Sequence, residues 1–128
     1  MSEKNNTIEK LEKVLKKLLI DNPNITVAII TSIEGLPIVS ILPRGVNETI
    51  VSAMVATLLS LSERAVMEMK IGEFSQLFVK GIDGYLLVFK AEPAVLSVSA
   101  TEDTKLGLLF FECERVSLEI SRIFKNKL

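Results

Sequence analysis

The sequence predicts an α+β sandwich: a five-stranded antiparallel sheet in the order α-β-β-α-β-β-β-α, with the two terminal helices on one face and the central helix on the other. Three observations lead there. Three segments carry apolar residues at helical spacing, five short runs between them read as strands, and neighbouring runs are joined by links short enough for hairpins. No linker, repeat or low-complexity tract interrupts the 128 residues, so one domain over 1–128 is expected.

The first helix is set by Ile8, Leu11, Val14, Leu15, Leu18 and Leu19, with Glu9, Lys10, Glu12, Lys13, Lys16 and Lys17 on its other side. Asp21-Asn22-Pro23-Asn24 ends it, because proline cannot continue the hydrogen-bond ladder and disfavours helix before it. ITVAIITS (25–32) and LPIVSIL (36–42) follow as strands, joined around Glu34-Gly35. Val27, Ala28, Ile29 and Ile30 are consecutive, so both faces of this strand should be covered. Pro43-Arg44-Gly45 turns the chain into the central helix, with Asn47 as N-cap and Glu48 near the positive end of the helix dipole. That helix should run to about Met69, before Gly72. FSQLFVKG (74–81), YLLVFKA (85–91) and AVLSVSA (94–100) form a meander turned at Asp83-Gly84 and Glu92-Pro93. The last helix, about Lys105 to Lys125, is capped by Asp103 or Thr104 and buries Leu106, Phe110, Cys113, Val116, Ile120, Ile123 and Phe124.

The central helix carries more apolar surface than one packed face needs. At about 100° per residue, Ile50, Met54, Leu58, Leu61 and Ala65 fall in one quadrant, and Val51, Val55, Leu59, Val66 and Met69 in the next, broken only by Ser62. Together they span roughly 180°, against roughly 100° for an ordinary amphipathic helix. With the first quadrant assigned to the sheet, the second would stay wet in a lone chain, which points to self-association.

Composition agrees. Hydrophobic residues make up 48% of the chain and the mean hydropathy is +0.40, high for a small domain. The longest uncharged runs, Asn22 to Ile33 and Thr49 to Ser62, fall short of the roughly 20 residues a spanning helix needs, so no membrane insertion is expected. MSEKNNTIEK lacks the apolar core of a signal peptide, and a cytoplasmic location is expected. Fifteen basic against sixteen acidic residues, without a basic block, argue against nucleic acid as a partner.

Catalytic chemistry finds little to work with. The chain has no histidine, which removes the usual general base, metal ligand and nucleophile activator. Cys113 lies on an apolar stripe and reads as a small core residue. No phosphate-cradling glycine loop occurs, and Glu102-Asp103 reads as a helix-start pair rather than a metal site. Glu112, Glu114, Arg115, Glu119 and Arg122 read as a solvated, mutually paired helix face. No enzyme, cofactor or metal is expected.

The run LLSLSERAVMEMKIGEFSQLFVKGIDGYLLVFKAEPAVLSVSATEDTKLGLLFFECERVSLEI, preceded by ITVAIITSIEGLPIVSILP, resembles the Roadblock family. The likeness is carried by the apolar helix ending LSERA, the Glu34-Gly35-Leu36 turn, the Asp83-Gly84 turn before YLLVF, and the Thr104-Lys105-Leu106-Gly107-Leu108 helix opening. It covers roughly residues 8 to 124. The resemblance implies a dimer in which third strands pair edge to edge and central helices lie side by side. It would use Ser75, Gln76, Leu77, Phe78, Val79 and Lys80 of the strand and Val51, Val55, Leu58, Leu59, Ser62, Val66 and Met69 of the helix. It further implies a non-catalytic module, paired with itself or a paralogue, that binds and regulates or scaffolds a small Ras-like GTPase. Arg44 and Arg64 are the candidate partner contacts, against the plainer reading of solvated arginines. Two alternatives stand beside it: a small-ligand sensor, or a structural scaffold or motor light-chain subunit without nucleotide dependence.

Overall fold

The computed structural model describes residues 3–126; Met1, Ser2, Lys127 and Leu128, the ends of the expected 1–128 domain, lie outside the described residues. The elements are α1 (Glu3–Asp21), β1 (Ile25–Ser32), β2 (Pro37–Ile41), α2 (Glu48–Glu68), β3 (Gln76–Lys80), β4 (Gly84–Ala91), β5 (Ala94–Thr101) and α3 (Leu106–Lys125). This is the predicted order. The strands form one antiparallel sheet ordered β2-β1-β5-β4-β3, so β2 and β3 are its edges.

The first and last helices share one face. Leu11, Leu15 and Leu18 of α1 and Leu109, Cys113, Val116 and Ile120 of α3 close over Ala28, Ile30, Leu87, Leu96 and Val98. Phe110 extends this core as a ring cluster, with centroids 5.6 Å from Phe78 and 6.1 Å from Phe89. Burial pushes the Cys113 thiol up to about 12, with Glu112 adding to the shift, which fits an inert core side chain.

The cap of α3 differs from expectation. Lys105 holds the N-cap position without a side-chain bond to the helix. Asp103 instead accepts from the Thr101 hydroxyl at 2.6 Å, and that bond holds its carboxyl below the usual range. The carboxylate is used in the turn and so is unavailable to the helix. At α2 the expectation holds: Asn47 Oδ1 accepts from the Ile50 N–H at 2.9 Å, and Ser40 reaches Glu48 in the first turn. Asn47→Ala should lower stability by about 1 kcal/mol in urea denaturation, because one N–H of the first turn loses its partner.

The second face belongs to α2 alone. Val55 and Leu59 form a small core with Val88 and Val95, and Val51, Phe74, Leu77 and Leu86 pack around it. Glu63 fixes the far end, its carboxylate 2.7 Å from the Lys90 ammonium on β4. That hydrogen bond, helped by Glu92 at 3.3 Å, raises the affinity of Lys90 for its proton.

The assignment of the two quadrants is therefore reversed. Val55 and Leu59 are 2% and 1% exposed within a single chain, so neither has surface left for a second copy. Val51, Leu58, Ser62 and Val66 are half-buried, and only Met69 of the expected helix contacts is exposed. The face that stays wet carries Ile50, Met54 and Leu61, at 57%, 56% and 66% exposure. A wheel gives the width of the apolar arc; the sheet chooses which half it covers.

The membrane expectation needs a correction as well. Over its most apolar stretch α2 reaches a mean hydropathy of 1.5, and by length and composition it could cross a membrane. Counting uncharged runs missed this, because Glu63 and Arg64 interrupt the run without ending the helix. In this fold α2 lies on its own sheet through Ser52, Val55 and Leu59 and is tied there by Glu63.

Candidate interaction surface

The surface of interest combines the outer face of α2 with the free edge of the sheet. Ile50, Met54 and Leu61 lie outward because Val55 and Leu59, elsewhere on the wheel, hold the helix to the sheet. At the end of α2 and just past it, Met67, Met69 and Ile71 continue the apolar exposure at 70%, 71% and 67%. The chain then enters β3 through Gly72, Glu73 and Phe74, which share a groove of about 310 Å³ with Glu63, Val66, Met67 and Lys90. Helix end and strand start are thus one continuous surface.

Strand β3 pairs with β4 on one side only, Gln76 opposite Phe89 through Lys80 opposite Tyr85. Its other side presents unpaired backbone donors and acceptors, which a second strand can satisfy. Pleat alternation sends Leu77 and Val79 toward the α2 side and Phe78 toward Phe110. Leu77 is half-buried in the α2 core, while Phe78 and Val79 remain 40% and 41% exposed. Gln76 and Lys80 are exposed, and the Lys80 ammonium sits 5.0 Å from the Tyr85 ring centre. Ser75, included in the expected strand, is exposed just before it.

A helix of this apolarity beside an open edge, in this strand order, is the architecture to set against known proteins. A family model described as the Roadblock/LC7 domain matches residues 11–100. The chain belongs to the Roadblock/LC7 family. It is 30% identical over 91 residues to MJ1340 of Methanocaldococcus jannaschii, covering 71% of this chain and 80% of that protein. Among solved structures, this Roadblock/LC7 domain is similar to MglB with tetrameric arrangement, with a TM-score of 0.86 and 19% identity over 95% of this chain and 93% of that one. It is also similar to a Roadblock/LC7 domain from Streptomyces avermitilis, with a TM-score of 0.81 and 20% identity over 89% of this chain and 97% of that one.

Within the Roadblock/LC7 frame the two candidate arginines fall in different settings. Arg64 lies on α2, 3.8 Å from Glu68, and lines a groove of about 600 Å³ with Leu61, Ser60, Thr57, Ala56, Ile33 and Glu34. Arg44 is exposed on the turn between β2 and α2 and is not part of that groove. Arg64 thus stands beside the outward apolar face, at the tip of the β1–β2 hairpin. The residues misplaced by the sequence reading are Ile50, Met54 and Leu61. A usable signal lay in Ser52 and Ala56, small residues on the arc where the hairpin glycine, Gly35, must approach α2.

Proposed function

We propose that two copies of this Roadblock/LC7 domain, or one copy and a paralogue, pair through the outward face of α2 and the β3 edge. The paired surface is a non-catalytic, cytoplasmic platform that binds a small Ras-like GTPase and regulates it or scaffolds complexes around it. One observation carries the reading: Ile50, Met54 and Leu61 are more than half exposed on a helix that runs into an unpaired strand edge. Full burial of such a side chain is worth about 1.5–3 kcal/mol, and more than half of that remains to be gained at each. Doubled by symmetry and joined by strand pairing, the sum can offset the roughly 4–15 kcal/mol cost of association. The tetrameric arrangement named for the MglB relative supports self-association. The family supports the GTPase, and the groove at Arg64 and Leu61 supplies a charged, partly apolar place for it.

Light scattering coupled to size exclusion tests the pairing. Met54→Glu with Leu61→Glu should reduce the mass of the assembly while circular dichroism stays unchanged; an unaltered mass rejects the pairing. Binding to small Ras-like GTPases encoded in the same genome, loaded with GDP or a GTP analogue, tests the partner. Preference for one nucleotide state marks a regulator and equal binding a scaffold, whereas binding to none rejects the GTPase.

A further inference from the structure

The outer layer of α1 and α3 is charged unlike the rest of the molecule. Among the described side chains, these two helices expose seven basic residues and three acidic ones. The described residues outside them expose five basic and eight acidic side chains. The net charge of the chain is only -1, so this is a polarisation, with one face cationic and the remainder anionic.

Each helix is oriented by its core residues. Leu11, Leu15 and Leu18 hold α1 to the first core and leave Lys10, Lys13, Lys16 and Lys17 outward beside Ile20, which is 78% exposed. Leu109, Cys113, Val116 and Ile120 orient α3 in the same way. At about 100° per residue, Leu108, Phe111, Arg115, Leu118, Arg122 and Lys125 share its outermost arc, and no carboxylate falls among them. Glu112 and Glu119 lie toward the flank, half-buried, 3.2 and 3.5 Å from the Arg115 guanidinium. Leu108, Phe111 and Leu118 are 57%, 65% and 58% exposed. Both helices pack on one face of the sheet, so the two outer arcs make one surface of apolar side chains among cations.

The charge selects what covers it. A second copy would set cations against cations. Nucleic acid would answer the cations and leave Ile20, Leu108, Phe111 and Leu118 without an apolar partner. An anionic bilayer answers both, because headgroup phosphates attract lysine and arginine while the acyl boundary takes the apolar side chains. Long lysine stems let the ammonium groups stay at the headgroups while the leucines and phenylalanine reach deeper.

We propose that the α1–α3 face is a peripheral docking surface for an anionic lipid bilayer, with Leu108, Phe111 and Leu118 inserted and the α1 lysines at headgroup level. The surface lies across the sheet from α2, so the proposal rests neither on pairing nor on a GTPase. No helix crosses the bilayer, and a chain docked in this way turns α2 toward the solution.

Flotation of the full chain with lipid vesicles tests it. Phosphatidylcholine vesicles with about one-third phosphatidylglycerol should bind the chain at least about tenfold more tightly than phosphatidylcholine alone. Raising the salt to about 0.5 M should release most of it. Phe111→Ser with Leu118→Ser removes the insertion, and Lys13→Glu with Lys17→Glu removes the attraction. Each pair should weaken binding about tenfold or more. Lys70→Glu with Lys80→Glu makes the same charge change outside the face and should alter binding less than about twofold. No binding to the anionic vesicles overturns the proposal. So does equal binding to the neutral ones, the result expected if the apolar face of α2 were the one inserted. Equal loss from the two lysine pairs would mean attraction without a defined face, and indifference to the Phe111 and Leu118 changes would mean no insertion; either result also overturns it. All six substituted positions are exposed, so circular dichroism should stay unchanged in every variant.

Discussion

Leu59→Asp is expected to leave the chain unfolded, whereas Leu61→Asp on the same helix leaves it folded. Leu59 is 1% exposed and packs with Val55, Val88 and Val95, while Leu61 is 66% exposed. An aspartate at 59 would lose about 1.5–3 kcal/mol of apolar burial and set a carboxylate among valines with no partner. Those terms consume much of the roughly 5–15 kcal/mol that holds a domain of this size. Alanine gives a measurable version of the contrast: in urea denaturation Leu59→Ala should cost about 2–5 kcal/mol and Leu61→Ala less than about 1 kcal/mol. Equal costs at the two positions would mean that the two faces of α2 are not distinguished in the way described. The contrast also governs any study of assembly. A change at Val55 or Leu59 would abolish any assembly by abolishing the domain, so substitutions at exposed positions such as Ile50, Met54 and Leu61 are the ones that test the proposed pairing.

Gly35→Ala should cost about 2–4 kcal/mol, an unusually large effect for a hairpin turn. Two separate terms add. The residue has φ of +93°, where a side chain strains the backbone. A Cβ there would also sit 2.9 Å from the Ala56 Cβ and 3.0 Å from the Ser52 carbonyl oxygen, so the hairpin could no longer rest on α2. Gly45 separates the terms: its φ is +86°, but nothing lies within 4 Å of the added carbon. Gly45→Ala should therefore show the backbone strain alone, about 1–2 kcal/mol. If the two substitutions cost the same in urea denaturation, Gly35 does not press on the helix, and α2 is held by its apolar contacts and Glu63 alone.

Much of the fold is legible in the sequence. The stripe Leu11, Leu15 and Leu18 of α1 is buried as its spacing required, β1 spans Ile25–Ser32 as expected, and Asn47 caps α2. Such features are local: a stripe, a cap or a hairpin is specified by residues a few positions apart. Leu109 was left out of the α3 stripe although it is 1% exposed, because Leu108, Leu109, Phe110 and Phe111 are all apolar and spacing alone does not rank them. The Asp103 cap failed for a similar reason. The aspartate had two partners within reach, and Thr101 in the turn took it.

The sequence by itself determined which segments are helix and strand, their antiparallel order, the family, and the surplus of apolar surface on α2. Only the tertiary structure decided which half of that surplus is spent inside the chain. Burial is a property of two packed surfaces, so the phase of a two-sided apolar helix is chosen by what it lands on. Here Val88 and Val95 receive Val55 and Leu59, Gly35 settles against Ser52 and Ala56, and Lys90 draws in Glu63. All of these partners lie at least 17 residues away in the chain. Ile50, Met54 and Leu61 are left facing water because the sheet has no room for both halves of the arc.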